Sequence, residues 1–72
     1  MEIENLNRRI IAGIKGYSDG YFYPSRGDVV IMREQAMDRF SRMGFSEENP
    51  PDLHTYRNIM VFITEKFHKE YS

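Results

Sequence analysis

Apolar residues recur at steps of three and four along two stretches of the chain. In the first, Ile3, Leu6, Ile10, Ile14 and Tyr17 fall on one face of a helix, and Ile11 widens the stripe. The opposite face carries Glu4, Arg8, Arg9 and Lys15, with Glu4 and Arg8 in the favourable acid-first order four residues apart. Gly13 interrupts the pattern. Glycine costs about 1 kcal/mol relative to alanine inside a helix, so Gly13 either weakens this helix or marks a close helix contact. The helix is expected to stop at Gly16 or at Ser18-Asp19-Gly20.

The second periodic stretch is the last one. Leu53, Tyr56, Met60, Ile63 and Phe67 step by three, four, three and four, joined by Ile59 and Phe62. Pro50 and Pro51 cannot lie inside a helix, and Asp52 can cap the free N–H groups of the first turn. Lys66, His68 and Lys69 stand near the end, where they complement the negative pole of the helix dipole.

The middle admits two readings. Tyr21-Phe22-Tyr23 and Val29-Val30-Ile31-Met32, either side of Pro24-Ser25-Arg26-Gly27-Asp28, can form a β-hairpin. Alternatively Asp28 caps a helix that runs to Met43 with the stripe Val29, Met32, Ala36, Phe40 and Met43, and Gly44 ends it. Successive β-branched side chains at Val29, Val30 and Ile31 favour the hairpin. An isolated two-stranded hairpin is marginal in water, however, and no third strand is visible. The expected fold is therefore mainly α, a small three-helix domain with helices near 3–17, 28–43 and 52–70. The alternative is an α+β domain with a hairpin near 20–32.

Size and composition narrow what such a domain could do. At 72 residues the chain makes one small domain, residues 1–72, near the length at which a hydrophobic core barely offsets chain entropy. Small domains usually gain stability from disulfides, a metal or a partner. The sequence has no Cys and only two His, so no cofactor or metal is expected, and association remains. Ten Lys and Arg against eleven Asp and Glu give a formal net charge of −1 with no basic or acidic tail, which counts against global attraction to nucleic acid or anionic lipid. No signal-peptide pattern or membrane-length apolar run is present, so a cytoplasmic protein that does not enter the membrane is expected.

No catalytic constellation emerges. His54 and His68 share one predicted helix fourteen residues apart, about 21 Å, too far to share a metal or a substrate. Glu65 and His68 have the Glu-x-x-His spacing of carboxylate-bridged metal bundles. Such a site needs further carboxylates on facing helices, and Glu65–Lys69 and Lys66–Glu70 read more simply as solvated pairs. None of the five serines lies in a strand–turn–helix elbow, and no glycine loop opens a helix to cradle phosphate. The chain is therefore expected not to be an enzyme. Arg26-Gly27-Asp28 spells an adhesion tripeptide, a use that requires an extracellular protein. Without an export signal, Gly27 is read as a turn residue and Asp28 as the cap of the next element.

Met37-x-x-Phe40-x-x-Met43-Gly44-Phe45-Ser46 resembles the first helix and Met-Gly-Phe loop of ubiquitin-associated domains, where the loop and last helix form a small apolar binding surface. The likeness covers about ten residues. It then departs, because Asn49-Pro50-Pro51 intervenes where those domains begin an Ala-rich helix, and a long helix lies upstream. No function is carried across on it. A helix that ends in Met-Gly-aromatic is also a common C-terminal cap with an apolar contact.

The expected function is a non-enzymatic protein–protein interaction module or small regulator, one that self-associates, as a homodimer, or docks on a larger protein. Its candidate contact residues are Tyr21, Phe22, Tyr23, Arg26 and Met37. Tyr and Arg are the side chains that anchor interfaces, and flexible Met packs against irregular partners. A nucleic-acid binder using Arg8, Arg9, Lys15 and the nearby tyrosines is the second reading, since aromatics among cations can stack bases and neutralise phosphates.

Overall fold

The middle of the chain is decided by Ser25. In the computed structural model, which describes residues 5–19 and 23–71, the Ser25 hydroxyl accepts the Asp28 N–H at 3.1 Å, and the Asp28 carboxylate accepts the Ser25 N–H at 3.0 Å. This reciprocal box satisfies two donors that the first turn of a helix would otherwise leave free. A helix follows from Arg26 to Arg42. The chain has three helices among the described residues, α1 (Leu6–Ser18), α2 (Arg26–Arg42) and α3 (Leu53–Tyr71), and no strand. The hairpin alternative is thus overturned. Val29 to Met32 continue helically because Met32 is buried in the core with Val29 packed against it. The cap is also corrected: Asp28 stands three residues inside the box, Ser25 is the N-cap, and Gly27 lies in the first helical turn rather than in a bend.

The other ends follow local chemistry. Asn5 caps α1 by accepting the Arg8 N–H at 2.8 Å. Ile3, Glu4 and Gly20, which the sequence assigned to this helix or its stop, lie outside the described residues. Gly16 falls within α1, which ends at Ser18. Gly44 has φ +89°, the left-handed conformation that glycine adopts without penalty. Its N–H bonds the Ser41 carbonyl at 3.0 Å, and the next N–H, of Phe45, bonds the Phe40 carbonyl at 2.9 Å. The Phe45 ring then meets Phe40 edge-on at 6.5 Å. The Met-Gly-Phe run is therefore a Schellman stop with its apolar contact. Asp52 precedes α3, and Thr55 hydrogen-bonds its carboxylate.

The helices pack in an up-down-up order. Phe40 of α2 stacks on Tyr56 near the start of α3 (centroids 6.2 Å, planes 7° apart), while Arg39 reaches Phe62 further along, so α2 and α3 run in opposite directions. Tyr56 meets Arg9, and Tyr17 borders Thr64, so α1 and α3 run in the same direction. Between them lie Leu6, Ile10 and Ile14, then Met32, Ala36 and Phe40, then Tyr56, Met60, Ile63 and Phe67. Each helix contributes the stripe that its spacing predicts, with three exceptions. Leu53 is 72% exposed, and Met43 and Phe62 also stand at the surface. Leu53 opens α3 one turn ahead of Tyr56, and Met43 is the C-cap of α2. Phe62 lies two positions beyond Met60, off the buried face.

The second connection does more than join helices. Ser46 and Asn49 exchange backbone hydrogen bonds at 3.0 and 3.2 Å, which projects Glu47 outward. Its carboxylate accepts the N–H of Leu6 at 2.8 Å and of Asn7 at 3.3 Å. An acid thus sits on the positive end of α1, a contact worth about 0.5–1 kcal/mol by charge–dipole attraction. No helix is long and apolar enough to cross a membrane among the described residues.

Candidate functional site

Of the five residues that the sequence grouped as a contact surface, Tyr23, Arg26 and Met37 are described, and Met37 stands apart from the other two. Tyr21 and Phe22 lie outside the described residues. Tyr23 precedes the N-cap of α2 and is 93% exposed, and Arg26, the first residue of α2, is exposed as well. Met37 is half-buried and packs against the core, about three turns further along α2 than Arg26. Tyr23 and Arg26 instead share the start of α2 with Val30 and Ile31, two β-branched side chains left exposed on its outer side.

The basic set on α1 is likewise divided. Arg8 and Lys15 are exposed on the outer face. Arg9 turns inward, its guanidinium 4.7 Å from the centroid of the Tyr56 ring, while the Tyr56 hydroxyl donates to the Arg9 carbonyl at 2.6 Å. Tyr17 faces α3 and borders a notch with Val61, Thr64 and Glu65 rather than interleaving with the cations.

A different cluster emerges across the α2–α3 seam. Phe62 is 43% exposed, and the Arg39 guanidinium lies over its ring at 4.5 Å. Around this pair runs an open groove of about 210 Å³, bordered by Gln35, Asp38, Arg42 and Lys66. It adjoins a second depression of about 310 Å³ where Phe62 meets Glu65, Lys66, Lys69 and Glu70. Asp38 and Arg42 form an ion pair at 3.0 Å. Arg39, Lys66 and Lys69 have no carboxylate at ion-pair distance among the described residues, so the two α3 pairs expected from the sequence are not formed. The groove between the helices therefore holds three cations against one carboxylate.

Sequence reasoning missed Arg39 and placed Phe62 in the core. A signal was available for Phe62. Charged residues follow it at three, four and seven positions (Glu65, Lys66, Lys69), the spacing of a shared helix face. That face is therefore polar and solvated. Nothing local could pair Phe62 with Arg39, which is twenty-three residues away on another helix.

No group of three or more His, Asp or Glu is placed to hold a metal among the described residues. His54 meets Asn58 at 3.3 Å on the surface, one turn along α3. Neither His54 nor His68 borders the cavities described above. Asp52 is held below the usual carboxylate range, chiefly by the Thr55 side-chain hydrogen bond and with help from the Thr55 N–H and nearby His54. These are the contacts of a helix cap, which favour the ionised form.

Comparison with known protein families, curated proteins and solved structures finds no match to this chain.

Proposed function

We propose that the chain is a non-enzymatic protein–protein interaction module, a small cytoplasmic regulator that self-associates as a homodimer through the start of α2. One observation carries this reading. The core is filled by ten side chains from three helices, yet Tyr23, Val30 and Ile31 remain exposed around a single helix end beside Arg26. Aromatic and β-branched side chains next to an arginine supply the apolar centre and cationic rim of an interface. Burying them in a second copy would also compensate for a core this small.

The test is light scattering after chromatography at two protein concentrations. A mass that rises with concentration is expected, as is its return to the monomer value in Ile31→Glu, with the helical circular-dichroism signal kept and an unfolding midpoint that no longer rises with protein concentration. A monomer mass at both concentrations would overturn self-association. Nucleic-acid binding through Arg8, Arg9 and Lys15 draws less support, because Arg9 is engaged on Tyr56 and Tyr17 turns towards α3. That reading requires binding that weakens steeply with salt in a mobility-shift titration.

A further inference from the structure

We propose that the groove between α2 and α3 binds an acidic protein segment carrying one apolar side chain, which seats on Phe62. The inference rests on reading the chain as an interaction module but does not need self-association. Its first support is charge. On a chain of net charge −1, this one groove gathers Arg39, Arg42 and Lys66 against Asp38. Asp38 is already paired with Arg42, so it does little to neutralise Arg39 and Lys66.

Its second support is the way Arg39 is held. A guanidinium over an aromatic ring is held there by cation–π attraction without using its N–H donors, and those donors match a carboxylate through two parallel hydrogen bonds. The Phe62 ring therefore holds a carboxylate receptor over it and also offers exposed apolar surface beside it. An occupant with an acidic residue next to a Leu- or Phe-like one satisfies both at once. Further along, Glu65 and Glu70 stand with Lys69 around the neighbouring depression, so the favourable field is short. A nucleic-acid backbone, charged at every step, would meet those carboxylates. A protein segment can place neutral or basic residues there.

The experiment is a titration of the isotope-labelled full chain followed by amide NMR. The probe is the blocked peptide acetyl-Asp-Glu-Phe-Glu-Asp-amide, and its controls are the Asn/Gln counterpart and oligothymidylate. Saturable shifts at Arg39, Phe62 and Lys66 are expected with the acidic peptide. Affinity should fall about tenfold with the neutral one, and by a similar factor in the double variant Arg39→Glu, Lys66→Glu, whose exposed side chains leave the unfolding midpoint in place. Absence of saturable shifts at millimolar peptide, equal binding of the neutral peptide, or tighter binding of oligothymidylate at the same amides each overturns the proposal. Light scattering of the same sample without peptide separates the two readings. A concentration-dependent mass without peptide binding overturns the groove alone, and a monomer that binds peptide overturns self-association alone.

Discussion

Arg9 and Arg39 each lay a guanidinium on an aromatic ring, 4.7 Å from the centroid of Tyr56 and 4.5 Å from that of Phe62. The two contacts nonetheless belong to different kinds of surface. Tyr56 is 8% exposed, stacks on Phe40 and spends its hydroxyl on the Arg9 carbonyl, so the arginine closes a seam that is already tied together. Phe62 has no such second anchor among the described residues and leaves 43% of its surface to solvent. Nearly the same distance thus closes a seam in one place and leaves a ring open to solvent in the other. The geometry of a cation–π pair does not by itself reveal its role. What the ring touches on its other side, and how much water it meets, decides whether the pair contributes to the fold or is available to a partner.

The largest expected difference follows directly. Tyr56→Ala should cost about 3–5 kcal/mol, enough to unfold much of a domain of this size, because it removes a core ring together with its hydrogen bond. Phe62→Ala should cost about 1 kcal/mol or less. Urea unfolding measures both. If Tyr56→Ala leaves too little folded protein to measure, Tyr56→Phe isolates the hydrogen bond and should cost about 1 kcal/mol. Equal losses at positions 56 and 62 would erase the distinction between closed seam and open groove.

A reversal of sign between two glycines sharpens the same point. At Gly13, a methyl group would collide with the Tyr56 hydroxyl and come within 3.1 Å of Met60 Cε. The hydroxyl is held by its bond to Arg9 and cannot easily withdraw. Gly13→Ala is therefore expected to lower stability by about 1–2 kcal/mol despite the better helix propensity of alanine. Gly16, one turn on, has nothing within 4 Å of the same position. There Gly16→Ala should raise stability by about 0.5–1 kcal/mol. Thermal melts of the pair suffice, and a gain at both sites would mean that α1 and α3 are less closely apposed than the Tyr56 contact requires.

The legible parts of the fold were those written in local periodicity. The α1 and α3 stripes and Gly44 as a stop follow from residues within a few positions of one another, whereas Gly13 left two readings open until Tyr56 was found against it. Ser25 was equally local, but a Ser-x-x-Asp box reads as turn chemistry when Pro24 precedes it and an Arg-Gly-Asp run overlaps it. The contacts between helices were not legible. Glu47 caps α1 from forty-one residues away, and Arg39 finds Phe62 only because α2 and α3 run side by side in opposite directions. The candidate groove is of this second kind. The sequence marked aromatic and basic residues near the chain's first bend, whereas the structure brings a comparable chemistry together from two helices.

The closed seam is not satisfied along its whole length, and its far end gives the smallest expected effect. Ser18 in the last turn of α1 and Thr64 of α3 are both buried, and their hydroxyl oxygens have no hydrogen-bond partner among the described residues. Thr64 also borders the notch of about 140 Å³ beside Tyr17. A buried hydroxyl without a partner has lost its water and gained nothing in return. Replacing it with a methyl of similar shape removes that penalty. Thr64→Val is therefore expected to raise stability by up to about 1 kcal/mol, where most core substitutions lower it. A lower urea midpoint in Thr64→Val would show that the hydroxyl is bonded in solution, to water or to a ligand in the notch. The Tyr17 side of the seam would then be a second open surface rather than the end of a closed one.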